Sequence, residues 1–137
     1  MHDIGYHISR SQHHRHSYYI IRNSSILGFN DTEIEIIANV ARYHRKSHPK
    51  NSHEGFNSLS EDNKIIVKYL SAILRIADAF DRTHKNMISN IKVNVKENDI
   101  VLNIHANESV EVELWSLERR KELFEELFCR QISVVVE

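Results

Sequence analysis

Histidine and acidic side chains recur in four short segments that could together bind a divalent cation. The segments are HDIG at residues 2–5, HHRH at 13–16, RYHRK at 42–46 and ADAFDR at 77–82. Imidazole nitrogens and carboxylate oxygens bind borderline or hard cations, and a bound cation activates water and neutralises phosphate charge. A lone His-Asp pair is common by chance, but the ordered set favours phosphate chemistry.

This ordered set resembles the HD-domain superfamily, whose members are helical, metal-dependent phosphohydrolases. The resemblance implies that His2 and Asp3 are the His-Asp pair of a Mg²⁺ or Mn²⁺ site and that Asp78 is its late aspartate. It also implies that His16 and His44 are optional further ligands. The superfamily's first histidine lies on a helix that should precede His2, so we expect the metal set to be incomplete in this chain.

The proposed metal ligands also have plainer interpretations. The His-Asp pair could be a frayed chain end without a role, and Asp78 could form an ion pair within its own helix, with Arg75 or Arg82. Asp81 is a rival for the late aspartate. Asp78 is the better candidate because it lies in an apolar stretch, where a buried carboxylate needs a cation or hydrogen-bond partners.

A second candidate site is basic and lies in the N-terminal part of the chain. Residues 1–53 carry seven Lys/Arg against four Asp/Glu (+3), whereas residues 54–137 carry eleven against fifteen (−4), and residues 36–53 contain no acid. A chain of phosphates is held by an electropositive groove with Arg and Lys donors. The alternative is that these cations complement a helix dipole at its C-terminus. The predicted polyanion-binding residues are Arg15, His16, Arg42, His44, Arg45, Lys46 and Lys50.

A more specific resemblance runs through residues 2–50, in HDIGYHISRSQHHRHSYYII, then LGF, then VARYHRK. These segments, with their spacing, are similar to the Ppx/GppA family of exopolyphosphatases and guanosine pentaphosphate phosphohydrolases. The resemblance implies that catalysis belongs to an N-terminal actin-like module, whose phosphate loops this sequence does not contain. It implies that this chain is a C-terminal part that binds polyphosphate or a guanosine polyphosphate and pairs as a homodimer.

We therefore expect the isolated chain to be inactive, with the actin-like catalytic domain of the parent protein as a partner. The alternative hypothesis is an HD-type metal-dependent phosphohydrolase that acts by itself on a nucleotide or on (p)ppGpp. The missing upstream helix argues against this alternative.

The hydrophobic pattern predicts an α+β fold with two domains. A helical HD-like domain is expected at residues 1–83, a linker at 84–90 and a small β-β-β-α-β domain at 91–137. In the first, a helix at about 60–82 is apolar on nearly every face, so other helices should surround it. In the second, apolar and polar residues alternate with a period of two, which predicts strands that include residues 110–114.

Composition excludes several other classes of protein. The chain has 137 residues, of which 41% are hydrophobic and 27% charged, as in ordinary globular domains. No apolar run approaches the ~20 residues that span a bilayer, and no signal segment opens the chain. A single cysteine, Cys129, excludes an internal disulfide. We expect a cytoplasmic protein without a membrane or a specific nucleic acid as partner.

Overall fold

The computed structural model describes all 137 residues, which form two compact units, Met1–Leu74 and Arg75–Glu137. This division falls inside the long helix Glu61–Phe80. It differs from the division into residues 1–83, 84–90 and 91–137 that the sequence suggested, and those domain boundaries stay a prediction.

The first unit is helical. It opens with a 3-10 turn and continues through four α-helices, of which the last runs on into the second unit. The elements are the turn Ile4–His7, α1 (His13–Arg22), α2 (Asp31–Arg42), α3 (Glu54–Asn57) and α4 (Glu61–Phe80). Asn30 caps α2, because its side chain accepts the Glu33 N–H at 3.0 Å while the Glu33 carboxylate accepts the Asn30 N–H at 2.8 Å.

Two apolar clusters hold the first unit together. In one, Ile21 of α1 packs against Ile34, Ala38 and Ala41 of α2. In the other, the residues that follow α2 meet α3 and α4, through Tyr43, Phe56, Leu59 and Val67. Because the first cluster fixes α1 against α2, histidines on α1 and histidines just after α2 can approach each other.

The second unit is a three-stranded sheet with helices. Its strands are β1 (Ile88–Val95), β2 (Asp99–Ala106) and β3 (Gln131–Val136), with α5 (Glu111–Glu118) and α6 (Glu122–Phe128) before the last strand. The strand order is β1-β2-β3, with β1 antiparallel and β3 parallel to β2. Its core contains Ala79, Ile100, Leu102, Leu117 and Ile132.

The α+β fold class is confirmed, but the predicted order β-β-β-α-β is wrong: the unit is β-β-α-α-β. The sequence predicts a strand at residues 110–114, but Val110 is the N-cap of α5 and residues 111–114 are its first four residues. The buried positions there are Val110, Glu113, Ser116 and Leu117, which is a helical spacing. The alternation of apolar residues with glutamates predicts a strand with its glutamates in solvent. Glu113 is instead buried, which the sequence pattern did not indicate.

Helix α4 is less enclosed in the first unit than its sequence suggested. Five apolar side chains along it are between 37 and 53% exposed, and they recur at helical spacing to form one stripe. We call this the α4 stripe; its residues are Ile65, Ile66, Tyr69, Leu70 and Ile73. None of the helices in the structure is both long and apolar enough to cross a membrane.

Candidate metal and polyanion sites

The carboxylate of Asp3 lies at the centre of a histidine cluster in the first unit. Its Oδ2 is 3.2 Å from His2 Nε2, and its Oδ1 is 3.2 Å from His13 Nε2 and 3.4 Å from His44 Nε2. His13 and His44 are each 1% exposed. The cluster therefore joins the chain start, α1 and the segment after α2 at a partly buried point.

Backbone hydrogen bonds orient the two buried imidazoles. Nδ1–H of His13 donates to the Arg10 carbonyl at 3.3 Å, and Nδ1–H of His44 donates to the Ala41 carbonyl at 2.6 Å. When Nδ1 carries the proton of a neutral ring, Nε2 presents a lone pair. Fixing the tautomer through the second nitrogen is the usual arrangement of a metal-binding histidine.

The two Nε2 atoms face each other at 3.2 Å, with the Asp3 carboxylate beside them. Lone pairs at that distance repel unless a proton or a cation lies between them. The ligand atoms of His2, Asp3 and His44 all lie within 4.8 Å of one another, so one ion could contact them together. This donor set fits a divalent metal: its carboxylate suits Mg²⁺ or Mn²⁺, and its imidazoles suit Zn²⁺.

Gly5 explains how the His-Asp pair is held against α1. Its N–H donates to Ser17 Oγ at 2.9 Å, and the Ser17 hydroxyl donates to the His2 carbonyl at 2.5 Å. A Cβ on Gly5 would lie 2.0 Å from the His13 carbonyl oxygen, which is closer than atoms can approach. Glycine is therefore required for Asp3 to reach His13.

His13 is the member of the cluster that the sequence analysis missed. His16 was chosen as an optional ligand, but it is only half-buried on α1, and no contact with Asp3 is seen for it. The signal was in the spacing: His13, Ser17 and Ile21 follow one another at four-residue steps and form the buried side of α1.

Asp78 lies in the second unit, where its carboxylate accepts a hydrogen bond from the Arg120 guanidinium and forms an ion pair with it. Sequence spacing pointed to Arg75 or Arg82 as partners and could not indicate a residue 42 positions away. Asp81 pairs instead with exposed His84 at 3.2 Å. The assignment of Asp78 to a metal site stays a prediction.

A basic surface in the first unit is evident from its effect on two histidines. Burial, then His44 and His13, then Arg45 and Arg15 lower the pKa of His14 to about 4. Positive charge can depress these pKa values only if the cations lie close by. Arg15 on α1 and Arg45 after α2 therefore both lie near enough to His14 to lower its pKa.

The same surface continues around the second of these histidines. Burial lowers the pKa of His53, and Arg42, Lys50 and Arg15 lower it further. The His53 ring stacks on Tyr43, whose hydroxyl is 2.8 Å from His53 Nδ1. Arg15 lowers the pKa of both histidines, which associates Arg15, Arg42, Arg45 and Lys50 with the surroundings of His14 and His53.

Arg42 is held between two aromatic rings. Its guanidinium lies 5.5 Å from the centre of the Tyr18 ring and 5.7 Å from that of Tyr43. The nearby carboxylate of Glu35 is bound by the Tyr18 hydroxyl at 2.6 Å and by Arg22 at 2.9 Å. The position of Arg42 is thus set by contacts with aromatic ring faces, and these contacts do not use its N–H groups as hydrogen-bond donors.

The predicted polyanion residues do not all lie in equivalent places. Lys46 and Lys50 are exposed, and Lys46 adopts a left-handed backbone with φ of 63°. His44 is buried and its Nε2 faces Asp3, which associates it with the metal-type cluster. Helix α2 ends at Arg42, so Arg45, Lys46 and Lys50 follow its last turn.

Comparison with known proteins identifies the family. Residues 1–125 match the sequence family described as "Ppx/GppA phosphatase, domain III". The chain therefore belongs to the Ppx/GppA phosphatase family, as the resemblance in residues 2–50 predicted. The matched range covers the first unit and most of the second.

A curated relative supports the same assignment. The chain is 34% identical over 105 residues to a guanosine-5'-triphosphate,3'-diphosphate pyrophosphatase from Pseudoalteromonas translucida (strain TAC 125). The alignment covers 76% of this chain and 20% of the relative. The chain thus spans about a fifth of the length of the curated relative that it matches.

Proposed function

We propose that this chain is the polyphosphate-binding and dimerisation part of an exopolyphosphatase-like phosphohydrolase, working with the family's actin-like catalytic module. The binding role is supported by the placement of the Arg42 guanidinium over the Tyr18 and Tyr43 rings, and by charge repulsion from Arg15, Arg42, Arg45 and Lys50 that lowers the pKa of His14 or His53. A polyanion, whether polyphosphate or a guanosine polyphosphate, would relieve this repulsion. The chemistry of the ligand is that of linked phosphates, each with about one negative charge.

Binding of long-chain polyphosphate to the purified chain tests this role. Affinity should fall steeply with salt, because each neutralised phosphate releases a condensed counterion, as in nucleic acids. Arg45→Ala and Lys46→Ala should each weaken binding and reduce the salt slope by about one. Lys85→Ala, which removes an exposed cation from the second unit, is the matched control and should leave the affinity and the salt slope unchanged.

Calorimetry at several salt concentrations measures these affinities and slopes. Binding should also take up protons, because the bound anion raises the depressed pKa values of His14 and His53, so affinity should increase as the pH falls from 7 to 5. Binding that is indifferent to salt, or equal losses from Lys85→Ala and Arg45→Ala, would contradict the role.

The α4 stripe supports the dimerisation role. Exposed contiguous apolar surface usually marks a contact with another molecule. Because closed two-fold dimers are the commonest assembly of identical chains, a second copy of this chain is the expected partner.

A second candidate function is an HD-type metal phosphohydrolase, and the Asp3 cluster is the observation that favours it. His2, Asp3 and His44 would hold the ion, with His13 contacting Asp3 and His44 beside them, and the ion would supply charge neutralisation for a phosphate group. The prediction that Asp78 adds a further carboxylate stands beside this set. With or without hydrolysis, the cluster itself can be tested by metal binding.

Binding of Mn²⁺ and Zn²⁺, followed by electron paramagnetic resonance and calorimetry, separates the cluster from its neighbours. His13→Gln and Asp3→Asn should each weaken binding by at least about tenfold, because each removes a ligand or the group that orients it. His16→Gln, on the same helix, is the matched control and should bind normally. Equal losses from His13→Gln and His16→Gln would argue against the cluster.

A further inference from the structure

The edge strand β1 of the second unit has an apolar side that nothing in this chain covers. β1 pairs only with β2, and its other edge carries no strand. Ile91, Val93 and Val95 alternate along it and are 38, 57 and 65% exposed. Exposed apolar edge strands are templates for pairing with another strand, and proteins rarely leave them uncovered.

The three exposed residues belong to the core face of the sheet. They lie opposite Ile104, Leu102 and Ile100 of β2, which are between 0 and 7% exposed. The core therefore ends at β2, and the same apolar face continues uncovered onto β1. A strand added beside β1 would extend this face.

The ladder between β1 and β2 determines which backbone groups remain available. Lys96 N–H donates to the Asp99 carbonyl at 2.7 Å, and the β1–β2 register continues from there. In an antiparallel ladder, hydrogen-bonded and non-hydrogen-bonded pairs alternate. Residues 92 and 94 therefore bond to β2, and the N–H and C=O groups of Ile91, Val93 and Val95 point to the free edge.

One antiparallel register between β1 and β1 of a second copy of the chain allows backbone hydrogen bonds to form and places apolar side chains opposite apolar side chains. With the two-fold axis at Val93, Val93 faces Val93 of the second copy, and Ile91 faces Val95 in both directions. Lys92 then faces Asn94, so no lysines are opposed. Centring the pair at Lys92 would place two lysines opposite each other, which destabilises a sheet.

We propose that two copies of the chain associate through antiparallel pairing of β1 about Val93, which joins their sheets into a six-stranded sheet. The occupant of the edge is a second copy because this register matches apolar with apolar residues and separates the lysines. This inference deepens the dimerisation part of the proposed function, and it uses a different surface from the α4 stripe.

Single cysteines test the register. In a Cys129→Ser background, which removes the one native cysteine, Val93→Cys should form a covalent dimer under mild oxidation, since paired residues in adjacent strands meet the geometry of a disulfide. Ile91→Cys alone should crosslink about tenfold more slowly, because two copies of residue 91 would lie about 13 Å apart along the strand. A mixture of Ile91→Cys and Val95→Cys should crosslink as well as Val93→Cys.

A proline tests the backbone contribution. Val93→Pro removes an N–H that points to the free edge, so it should leave the β1–β2 ladder intact and lower the average mass in sedimentation. Val93→Thr keeps the N–H and the β-branched shape and is the control. Circular dichroism and thermal unfolding verify that both variants fold.

The outcomes separate this inference from the proposed function. Crosslinking that is equal at positions 91, 93 and 95, or that fails at all three, would overturn pairing about Val93. If the chain also self-associates and binds polyphosphate in that case, the proposed function stands without this surface. If crosslinking is specific to position 93 and substitutions in the α4 stripe leave the average mass in sedimentation unchanged, self-association occurs through β1 alone.

Discussion

At the residue scale, two uncharged residues, Gly5 and Ser17, hold Asp3 in position against α1. Gly5 allows the His-Asp turn to lie directly on the backbone of α1, and Ser17 links Gly5 to His2. His13 of α1 can then contact the Asp3 carboxylate directly, at 3.2 Å. The pattern HDIG thus includes its glycine for a steric reason.

Gly5→Ala should therefore be destabilising. Inserting a methyl group where the His13 carbonyl would lie 2.0 Å away forces the turn off α1, at a cost of about 1–3 kcal/mol. Urea unfolding measures the change, and metal binding at the Asp3 cluster should weaken as well. Arg10→Ala changes an exposed side chain of the same segment and is the control; equal losses in the two variants would refute this explanation.

A second prediction at this scale concerns pH. The pKa of His14 is lowered to about 4 in the fold from 6.5, so the unfolded chain binds more protons than the folded chain between these values. The free energy of unfolding should be highest above pH 6.5 and should decline as the pH falls towards 4, by less than the full shift implies because solvent screens the half-buried ring. His14→Gln should flatten this part of the stability profile, measured by urea unfolding, and an unchanged slope would contradict the assignment.

At the element scale, α4 shows how an apolar sequence can have two different environments. Val67, Ala72 and Ala79 are fully buried, whereas the α4 stripe is open to solvent. The sequence predicted burial on every side, because hydrophobicity alone does not show whether the covering surface belongs to the same chain or to another one.

Charges on the α4 stripe should prevent association through it. Ile66→Glu with Ile73→Glu should lower the average mass in sedimentation at high concentration, because two buried carboxylates would be costly in an apolar contact. Thr32→Glu adds a charge at an exposed position of α2 and should have no effect. A wild-type chain that remains a monomer at every concentration would remove the basis for this prediction.

At the scale of the whole molecule, membership of the Ppx/GppA family does not by itself assign catalysis to these residues. The chain matches domain III of the family and spans about a fifth of its curated relative. We expect the purified chain to release little or no phosphate from polyphosphate, since the resemblance places the catalytic carboxylate in the actin-like module.

A phosphate-release assay with and without Mn²⁺ measures this directly. Steady release that Asp3→Asn and Asp78→Ala abolish would reject the binding-module proposal and favour the metal phosphohydrolase. Release that survives both substitutions would point to a contaminating enzyme and can be followed across the purification.

The sequence by itself determined the family, the α+β class and the group of segments from which both candidate sites are drawn. The motif through residues 2–50 carries enough spacing to identify the family, and the periodicity located α2, α4 and the β1–β2 pair. These features depend on the order and spacing of residues within short segments, which can be read from one sequence.

Only the tertiary structure decided which residues of those segments meet. It placed His13 beside Asp3, paired Asp78 with Arg120, and made residues 111–114 the first residues of α5, where Glu113 is buried. Glu113 illustrates the reason: its carboxylate accepts hydrogen bonds from the N–H and hydroxyl of Thr83, thirty residues earlier. Burial of a polar group depends on such distant partners, and no local pattern can supply them.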